Sequence, residues 1–342
     1  MKKILISACT EGNGHLTQAL ALKEYLNQED YNIEAAIVAK KKGDIPQYFQ
    51  DEFKLFKYNG FDFVFDQVGR VVLWKTALHN MLRLPLIFFS FLSLLRYIKY
   101  IKPDVIVNFY DPLIGLTALF NWSKETKYIS IGHQYCMTLP EYPKIDSFTI
   151  QKLFLRVLNF TTSLFSEKVG LSYYDIPNSK ITISPPLLRK ESYLRAPNQE
   201  DFILCYLINE GMLKELFSEA KKYPDIKIEC FTKLTREYID VPGNVSLFNI
   251  DAELFQQRMK VCSGVICTGG FETSSEAISI CKPLLMVPLP NHYEQYANSN
   301  DAQNAGFAKY SPNIDLSKMP SNQIKPTNWF NKTLERIEKV LK

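Results

Sequence analysis

Short runs of consecutive apolar, β-branched residues alternate with helical patterns along the chain, and this alternation restricts the fold more than any other feature. In the first half the predicted strands are ILISA (4–8), IEAAIVA (33–39), DVIVNF (104–109) and KYISIG (127–132), and the predicted helices cover 15–28, 75–101 and 112–122. Runs that are apolar throughout are typical of strands covered by helices on both faces of a parallel sheet. The first half therefore predicts an α/β doubly wound sheet.

The second half repeats this organisation, with predicted strands at DFILCYLI (201–208), IKIECFT (226–232), VSLFNI (245–250), GVICTGG (264–270) and PLLMVPL (283–289). Between the halves, residues 181–201 collect prolines and charges without periodicity and are predicted to form a linker. A chain of 342 residues also exceeds the usual size of a single core. We predict two facing Rossmann-like domains, 1–185 and 186–325. A C-terminal helix at 326–342, capped by Thr327 or Asn328, is expected to pack back on the first domain.

Composition excludes several classes of protein. The formal net charge of +4 is too small to argue for nucleic-acid binding. The seven cysteines are odd in number and lack CxxC spacing, which is typical of reduced core thiols in a cytoplasmic protein. The apolar stretch in MKKILISACTEG is too short for a signal peptide, so we expect a cytoplasmic location.

The GNGH sequence directly follows the first predicted strand and opens a helix. Gly12, Asn13 and Gly14 allow a tight turn and close approach of a ligand to the backbone. A dinucleotide site is not expected, because Thr17 replaces the third glycine and Lys40–Lys42 replace the ribose-binding acid. His15 is a candidate general base, since an imidazole can accept a proton from a hydroxyl at neutral pH. The alternative is that His15 only packs or caps the helix.

The strongest pattern lies in residues 264–306. After a strand, Gly269 and Gly270 precede a helix that opens with Thr273, Ser274 and Ser275, an arrangement that offers amides, hydroxyls and a positive helix dipole to a phosphate. Glu276 follows one turn later, where its carboxylate suits ribose hydroxyls. Glu294 and Gln295 open the next helix and suit sugar hydroxyls. The alternative for each position is ordinary helix capping, but their combination favours a nucleotide-sugar site.

These motifs resemble the GT-B glycosyltransferases, the group that includes MurG, the UDP-glucuronosyl and plant UDP-glucosyl transferases and the galactolipid synthases. The GNGH, TGGFETSSE, KPLLMVPL and YEQYAN sequences occur in the order and spacing of that family. The resemblance implies a GT-B fold in which residues 1–185 bind the acceptor and residues 186–325 bind a nucleoside diphosphate sugar, with uridine as the expected base. It also implies that no metal or other cofactor is needed, which agrees with the absence of any Asp-x-Asp sequence.

The resemblance also implies roles for individual residues. The positions that match donor contacts are Thr268, Gly269, Gly270, Thr273 and Ser274 for the diphosphate, Glu276 for the ribose, Glu294 and Gln295 for the sugar, Ile250 for the base and Arg189 near the phosphates. His15 matches the general base, and Asp111 resembles the acid that orients it in the plant enzymes. The chain departs from MurG at NFYDPLIG and INEGM, where glycine-rich loops are expected. His133 resembles a histidine of the acceptor side and competes with His15 for the role of base.

The expected reaction is transfer of a hexose or hexosamine-type sugar to a hydroxyl with inversion of the anomeric configuration, as in-line displacement requires. Residues 70–102 are rich in Leu and Phe, carry six basic residues and no acidic one, and suit a helix lying on an anionic membrane. A lipid-linked acceptor and peripheral membrane association are therefore expected. The alternative is a buried helix with basic ends.

Two other functions stay open at this point. A UDP-sugar 2-epimerase uses the same fold but needs several carboxylates in its site, and the first half offers mainly Asp111 and Glu141. A non-catalytic nucleotide-sugar-binding subunit of a transferase complex is the other, although both motif-bearing halves are present in this chain.

Overall fold

The structure is a computed structural model that describes residues 1–10, 13–26, 31–39, 45–64, 72–121, 125–145, 147–193, 199–207, 209–234, 238, 240–322, 324 and 327–342. The chain forms two compact units. The amino-terminal unit contains Met1–Tyr142, Asp146–Arg189 and Trp329–Lys342. The carboxyl-terminal unit contains Pro143–Ile145 and Lys190–Asn328. Apart from Pro143–Ile145, the chain passes from the first unit to the second after Arg189 and returns to the first after Asn328.

The secondary structure is numbered here in chain order. The strands are β1 (Lys2–Ala8), β2 (Tyr31–Ala39), β3 (Leu55–Tyr58), β4 (Val105–Phe109), β5 (Lys127–Gly132), β6 (Glu167–Leu171), β7 (Thr182–Ser184), β8 (Ile203–Tyr206), β9 (Ile228–Thr232), β10 (Val245–Asn249), β11 (Gly264–Cys267), β12 (Leu284–Met286) and β13 (Lys309–Tyr310). The α-helices are α1 (Gly14–Leu26), α2 (Gln47–Gln50), α3 (Leu73–Leu82), α4 (Leu84–Ile101), α5 (Pro112–Thr117), α6 (Thr149–Thr162), α7 (Glu210–Ala220), α8 (Ala252–Val261), α9 (Phe271–Ser279), α10 (Tyr293–Asn304) and α11 (Thr333–Leu341). Short 3₁₀ helices cover Ala118–Phe120, His133–Thr138, Lys190–Tyr193, Leu316–Lys318 and Phe330–Lys332.

The amino-terminal unit contains a seven-stranded sheet in the order β3-β2-β1-β4-β5-β6-β7. All neighbouring strands are parallel. β4 is buried along its whole length and β1 is buried from Ile4 to Ala8, as expected of central strands with helices on both faces. Strand order reverses between β1 and β4, so the loops that follow these two strands lie where doubly wound sheets bind ligands.

Alternate residues of the central strands face different helices. On one face, α4 and α5 pack in a cluster with Ile106 and Tyr128. On the other face, α1 and α11 lie against Val107 and Ile129. The C-terminal helix thus completes the hydrophobic core of the amino-terminal unit.

The carboxyl-terminal unit contains a six-stranded sheet in the order β10-β9-β8-β11-β12-β13, again with parallel neighbours. Its core combines apolar residues of the strands, such as Ile266 and Leu285, with Leu213 and Leu216 of α7. Strand order reverses between β8 and β11, and α7 and α9 follow these two strands. All seven cysteines of the chain are free, and burial raises the pKa of Cys230 to about 12, so that thiol stays protonated at neutral pH.

The predicted fold class, α/β with two doubly wound parallel sheets, is confirmed. A strand lies within every apolar run that was predicted to be one. The prediction named no element at β3, β6, β7, β13, α2, α6, α7 or α8. It was also wrong about part of the linker, because β7 (Thr182–Ser184) pairs with β6 at the edge of the first sheet.

Three predicted helices have other boundaries. The helix predicted at 75–101 is two helices, because Arg83 leaves helical geometry and Pro85 occupies the first turn of α4, where its missing N–H does no harm. The helix predicted at 112–122 changes to a 3₁₀ helix after Thr117. The predicted caps of the C-terminal helix, Thr327 and Asn328, were wrong. α11 begins only at Thr333, after a 3₁₀ helix that follows the buried Trp329.

Candidate functional site

His15 lies at the point where strand order reverses in the first sheet. β1 ends at Ala8, and His15 is the second residue of α1. Asn13 precedes the helix, and its carbonyl accepts hydrogen bonds from the N–H and the hydroxyl of Thr17 at 3.0 and 3.1 Å. Thr17, which excluded the dinucleotide fingerprint, therefore stabilises the first turn of α1. The predicted Gly12 lies outside the described residues.

The imidazole of His15 is buried, and its contacts include Gln18, Gln134 and Tyr110. Its Nδ1 lies 3.3 Å from Oε1 of Gln18, and its Nε2 lies 3.5 Å from Nε2 of Gln134. The ring stacks on Tyr110, with centroids 5.7 Å apart and an angle of 21° between the planes. When Nδ1 carries the proton it donates to Gln18, and the lone pair of Nε2 accepts the hydrogen bond from the amide of Gln134, which an acceptor hydroxyl would have to displace.

The predicted pairing of Asp111 with His15 was wrong. Among the described residues, the Asp111 carboxylate accepts hydrogen bonds from the hydroxyls of Ser7 and Tyr58 and from the backbone N–H groups of Leu113 and Ile114. The two backbone contacts make Asp111 the N-cap of α5. Burial raises the pKa of this carboxyl group, and its hydrogen bonds partly oppose that rise. Capping thus uses Oδ1 of Asp111, and the hydroxyls of Ser7 and Tyr58 use Oδ2, so both oxygens have partners other than His15.

His133 begins the 3₁₀ helix that follows β5, and its side chain is buried. The next residue, Gln134, is the one that reaches the imidazole of His15. The two candidate bases therefore lie in neighbouring segments of the amino-terminal unit, and the hydrogen bond from Gln134 connects the second segment with the first.

The loop between β11 and α9 has the backbone geometry that a phosphate site needs. Gly269 has a φ of +81°, and a Cβ there would lie 2.7 Å from both the carbonyl oxygen of Gln295 and the hydroxyl of Ser299. A Cβ on Gly270, by contrast, would meet no atom within 4 Å. The first glycine is thus required by close packing on α10, and the second opens the space in front of α9.

The N-terminus of α9 has no side-chain cap. The other helices described in this unit all have one: Asn209 caps α7, Asp251 caps α8 and His292 caps α10. Capping was the alternative explanation for the hydroxyls of TGGFETSSE, and it fails for Ser274, whose hydroxyl donates instead to the carbonyls of Gly270 and Phe271 at 2.9 and 3.0 Å. The start of α9 therefore combines a glycine N-cap, which has no side chain, with the positive end of the helix dipole, and this combination favours an anion.

Thr268 and Thr273 flank this helix start. Thr268 is buried directly after β11, and Thr273 is half-buried in the first turn of α9. Ser275 is fully buried, and within the described part of the chain its hydroxyl has no hydrogen-bond partner. The structure brings together the glycines and threonines that the sequence assigned to the diphosphate.

Glu276 lies further along α9 and is buried. Its Oε1 accepts hydrogen bonds from Nε2 of Gln256 at 3.1 Å and from the hydroxyl of Ser192 at 3.3 Å. Gln256 belongs to α8, and Ser192 to the 3₁₀ helix that opens the unit. Two neutral donors therefore fix the orientation of the carboxylate that the sequence assigned to ribose.

Glu294 and Gln295 lie in the first turn of α10, as predicted. The side-chain oxygen of Gln295 accepts a hydrogen bond from the N–H of Leu289 at 2.9 Å. The backbone carbonyl oxygen of Gln295 packs against Gly269. Asn298, one turn later, donates to the carbonyl of Gly269 at 3.1 Å. α10 thus supports the glycine loop, and Glu294 lies in the first turn of the same helix.

Two predicted donor contacts have other partners. Ile250, which follows β10, is exposed, but its N–H donates to Oδ1 of Asn249 at 3.0 Å. The nucleobase of a donor would have to displace Asn249 before it could accept a hydrogen bond from this N–H. Arg189 belongs to the amino-terminal unit, where its Nε pairs with Oε1 of Glu24 at 3.1 Å. The expectation that Arg189 belongs to the donor domain was therefore wrong.

Sequence reasoning missed the supporting residues Gln18, Gln134, Ser192, Gln256 and Asn298. Gln18 was detectable, because it lies three residues after His15 in a predicted helix, where side chains meet. The others come from distant segments, and no local spacing connects them with the residues that they contact.

The segment predicted to touch a membrane is mostly exposed. α4 is long and apolar enough to cross a membrane by length and composition, with a mean hydropathy of 1.5, and it is the one such helix among the described residues. Only Ile87, Ser90 and Leu94 of α4 are buried. One face of α4 thus packs in the core, as the alternative predicted, while the other face is exposed. Arg70 lies outside the described residues.

Comparison with known proteins identifies a matching family model and similar sequences. A family model described as "Glycosyl transferase family 1" matches residues 2–324. An uncharacterized glycosyltransferase of Methanosarcina acetivorans is 25% identical, and the alignment covers 90% of this chain and 83% of the relative. A second one from the same organism is 24% identical, with coverage of 99% and 94%.

Solved structures with the same fold include glycosyltransferases of different origin. MurG of Acinetobacter baumannii is 17% identical with a TM-score of 0.54, covering 99% of this chain and 90% of its own. The spinosyn rhamnosyltransferase SpnG is 12% identical with a TM-score of 0.58, covering 100% and 91%. These similarities confirm the predicted GT-B architecture.

Proposed function

The chain belongs to glycosyl transferase family 1, and on this premise we propose that it transfers a hexose or hexosamine-type sugar from a UDP donor to a hydroxyl acceptor, with inversion and without a metal ion. That it is a glycosyltransferase follows from the family. The donor, the stereochemistry and the acceptor are the content of the proposal.

The uncapped start of α9 is the observation that carries the proposal. A nucleoside diphosphate bound there would accept hydrogen bonds from the first amides of α9 and from Thr273, and it would gain from the helix dipole. The space in front of Gly270 would admit the phosphates. SpnG, a relative in fold, has been crystallised with thymidine diphosphate, which supports a nucleoside diphosphate as the leaving group. Uridine is proposed from the resemblance to the UDP-dependent enzymes.

Further donor contacts are proposed for the residues around this helix. Glu276, oriented by Gln256 and Ser192, would accept hydrogen bonds from ribose hydroxyls. Glu294 and Gln295 would bind hydroxyls of the sugar. The backbone at Ile250 would bind the base after the N–H of that residue leaves Asn249.

His15 is proposed as the general base. Its Nε2 accepts the proton of the acceptor hydroxyl while the hydroxyl oxygen forms a bond to the anomeric carbon. The bond from that carbon to the diphosphate breaks on the opposite face, and its electron pair leaves with the diphosphate. Inversion follows from this in-line displacement. Gln18 would keep the proton of the neutral ring on Nδ1, in the role that the sequence had assigned to Asp111.

Charge on the departing diphosphate would be stabilised by the amides and dipole of α9, so a divalent cation has no required role in this scheme. The acceptor is proposed to be lipid-linked, because α3 and α4 expose Leu and Phe side chains among basic residues. We propose that the protein is cytoplasmic and associates with a membrane surface.

The donor site is tested by filling the space in front of α9. Gly270 has an ordinary negative φ and open surroundings, so Gly270→Val adds methyl groups there without backbone strain. We expect UDP, added at saturating concentration, to raise the melting temperature of the wild-type protein more than GDP or dTDP does. Gly270→Val should fold normally and lose that response.

The matched control is Gly243→Val, since a Cβ on Gly243 also meets no atom within 4 Å and this glycine lies in the same unit. It should keep the full response to UDP. A Gly270→Val protein that responds to UDP like the wild type would contradict the proposed diphosphate site. A wild-type protein that is stabilised more by dTDP than by UDP would contradict uracil as the nucleobase of the donor.

A further inference from the structure

A second helix of the amino-terminal unit, α6, exposes a stripe of apolar side chains. Ile150, Leu153, Val157 and Phe160 are 69%, 61%, 52% and 66% exposed. Their spacing of three, four and three residues places them on one side of the helix. The opposite side is buried, with Asn159 donating to the carbonyl of Gln134 at 2.9 Å. A helix that packs on a core normally turns polar residues outward, so this stripe needs a covering partner.

The helices α4 and α6, which carry these exposed apolar residues, pack on the same face of the first sheet. α4 and α5 pack in one cluster on that face. α5 connects the two other helices: Phe120, directly after α5, lies edge-on to Phe91 of α4 at 5.5 Å, and Gly115 of α5 touches the backbone of α6 at Thr161. α4, α5 and α6 therefore form one layer, whose outer surface includes Phe88 and Phe89, 57% and 68% exposed.

The charges on this layer are all of one sign. The sequences of α3, α4 and α6 contain no aspartate or glutamate. Their basic residues are Lys75 in α3, Arg96 and Lys99 in α4, and Lys152 and Arg156 in α6. A second copy of this chain would bring like charges together, which is unfavourable. An anionic lipid surface would satisfy both the apolar stripes and the positive charges.

The direction of the helices brings this layer to the edge of the sheet that carries His15. α4 and α6 precede the parallel strands β4 and β6, so each runs antiparallel to the strands and begins at their carboxyl edge. The exposed Leu84, Leu86 and Ile150 near their starts lie toward that edge, where β1 ends and α1 begins. A lipid in contact with these helix starts would be close to the candidate base.

We propose that α4 and α6 together form a docking surface for an anionic lipid bilayer, with α6 as a contact separate from residues 70–102. The helices lie along the bilayer rather than crossing it, because Leu94 of α4 is fully buried against the sheet and α6 is anchored through Asn159. The use of this surface for presenting a lipid acceptor rests on the proposed function, whereas the binding of lipid does not.

The test is flotation of the full-length protein with vesicles of phosphatidylcholine alone or mixed with phosphatidylglycerol. We expect binding to the mixed vesicles that weakens as salt rises. Substituting Leu153, Val157 and Phe160 by Gln keeps good helix formers and should weaken binding at least about tenfold. The control is Leu234→Gln, which changes an exposed leucine of the other unit and should bind like the wild type.

A second variant, Arg156→Glu, changes one exposed residue of α6 and tests the surface without altering its apolar stripe. It should reduce binding to the mixed vesicles and leave the melting temperature unchanged. Undiminished binding by both α6 variants would overturn the proposal, and so would a wild-type protein that ignores vesicles and forms a dimer that the triple substitution disrupts. UDP stabilisation, measured on the same proteins, reports separately on the donor site and should persist in the α6 variants.

Discussion

At the scale of single residues, neutral side chains orient the groups that are proposed to act. Gln18 contacts the imidazole of His15, and Gln256 contacts the carboxylate of Glu276. A glutamine amide fixes an orientation without adding a charge. It therefore orients the carboxylate and the imidazole without placing a second charge beside either of them.

Gln256→Leu should weaken nucleotide binding through ribose. Without the hydrogen bond from Gln256 at 3.1 Å, Glu276 loses a fixed orientation, and UDP affinity should fall by about 5- to 10-fold, the equivalent of one hydrogen bond of about 1 kcal/mol. The loss should be smaller for 2′-deoxy-UDP, because that ligand lacks one hydroxyl that the carboxylate would bind. Isothermal titration of both nucleotides measures the difference.

The adjacent Gln257 provides the control, since it contacts Glu253 on the surface of the same helix. Gln257→Leu should bind both nucleotides like the wild type. Equal losses of UDP and 2′-deoxy-UDP affinity in Gln256→Leu would show that Gln256 supports the fold of the site rather than the ribose contact.

At the scale of elements, the proposed donor site depends on the close packing of α10 against the loop before α9, and Gly269 allows this close packing. The left-handed φ of this residue and the contacts at 2.7 Å leave no room for a side chain. Gly269→Ala should therefore destabilise the protein by about 1–3 kcal/mol. Urea unfolding followed by circular dichroism measures the change.

Gly270→Ala is the control for this substitution, because the neighbouring glycine has open space and a negative φ. It should unfold at nearly the wild-type urea concentration. A Gly269→Ala protein as stable as Gly270→Ala would mean that α10 moves away from the loop at little cost, and the close packing of the two helices would not be required.

The elements that the sequence predicted and those that it missed differ in what stabilises them. β1 and β4 are central and buried on both faces, so their apolar runs were sufficient to identify them. β13 consists of Lys309 and Tyr310, and it is a strand only because β12 lies beside it. α6 exposes apolar residues to solvent, whereas the surface helix of a soluble protein normally exposes polar ones. Its sequence therefore did not match the expected pattern, and the helix was missed.

The candidate site divides in the same way. Gly269, Gly270 and Glu276 were predicted because a strand end and a helix start lie close together in the sequence. Asp111 was misassigned, since an acid before Pro112 fits both an N-cap and a partner for histidine, and only the folded chain shows that the backbone amides of α5 are its partners. Local sequence could not decide between these two uses of one carboxylate.

At the scale of the whole molecule, the two ends of the chain belong to the same unit. The ammonium of Lys2 donates to the carbonyl of Leu341 at 3.0 Å, and the indole N–H of Trp329 donates to the carbonyl of Ser172 at 2.9 Å. Trp329 is the first residue of the returning segment and is buried. The amino-terminal unit is therefore complete only when the last residues of the chain have joined it.

Trp329→Ala should destabilise the protein by about 3–5 kcal/mol, because it leaves a cavity in the core of the first unit and removes the partner of the Ser172 carbonyl. Trp74→Ala, which removes a tryptophan that is 65% exposed, should change stability little. Urea unfolding followed by circular dichroism compares the two. Below its unfolding temperature, Trp329→Ala should bind UDP like the wild type, because the residues proposed for the donor belong to the other unit. Weaker UDP binding by the folded variant would mean that the first unit contributes to the donor site, and the assignment of donor residues would have to include it.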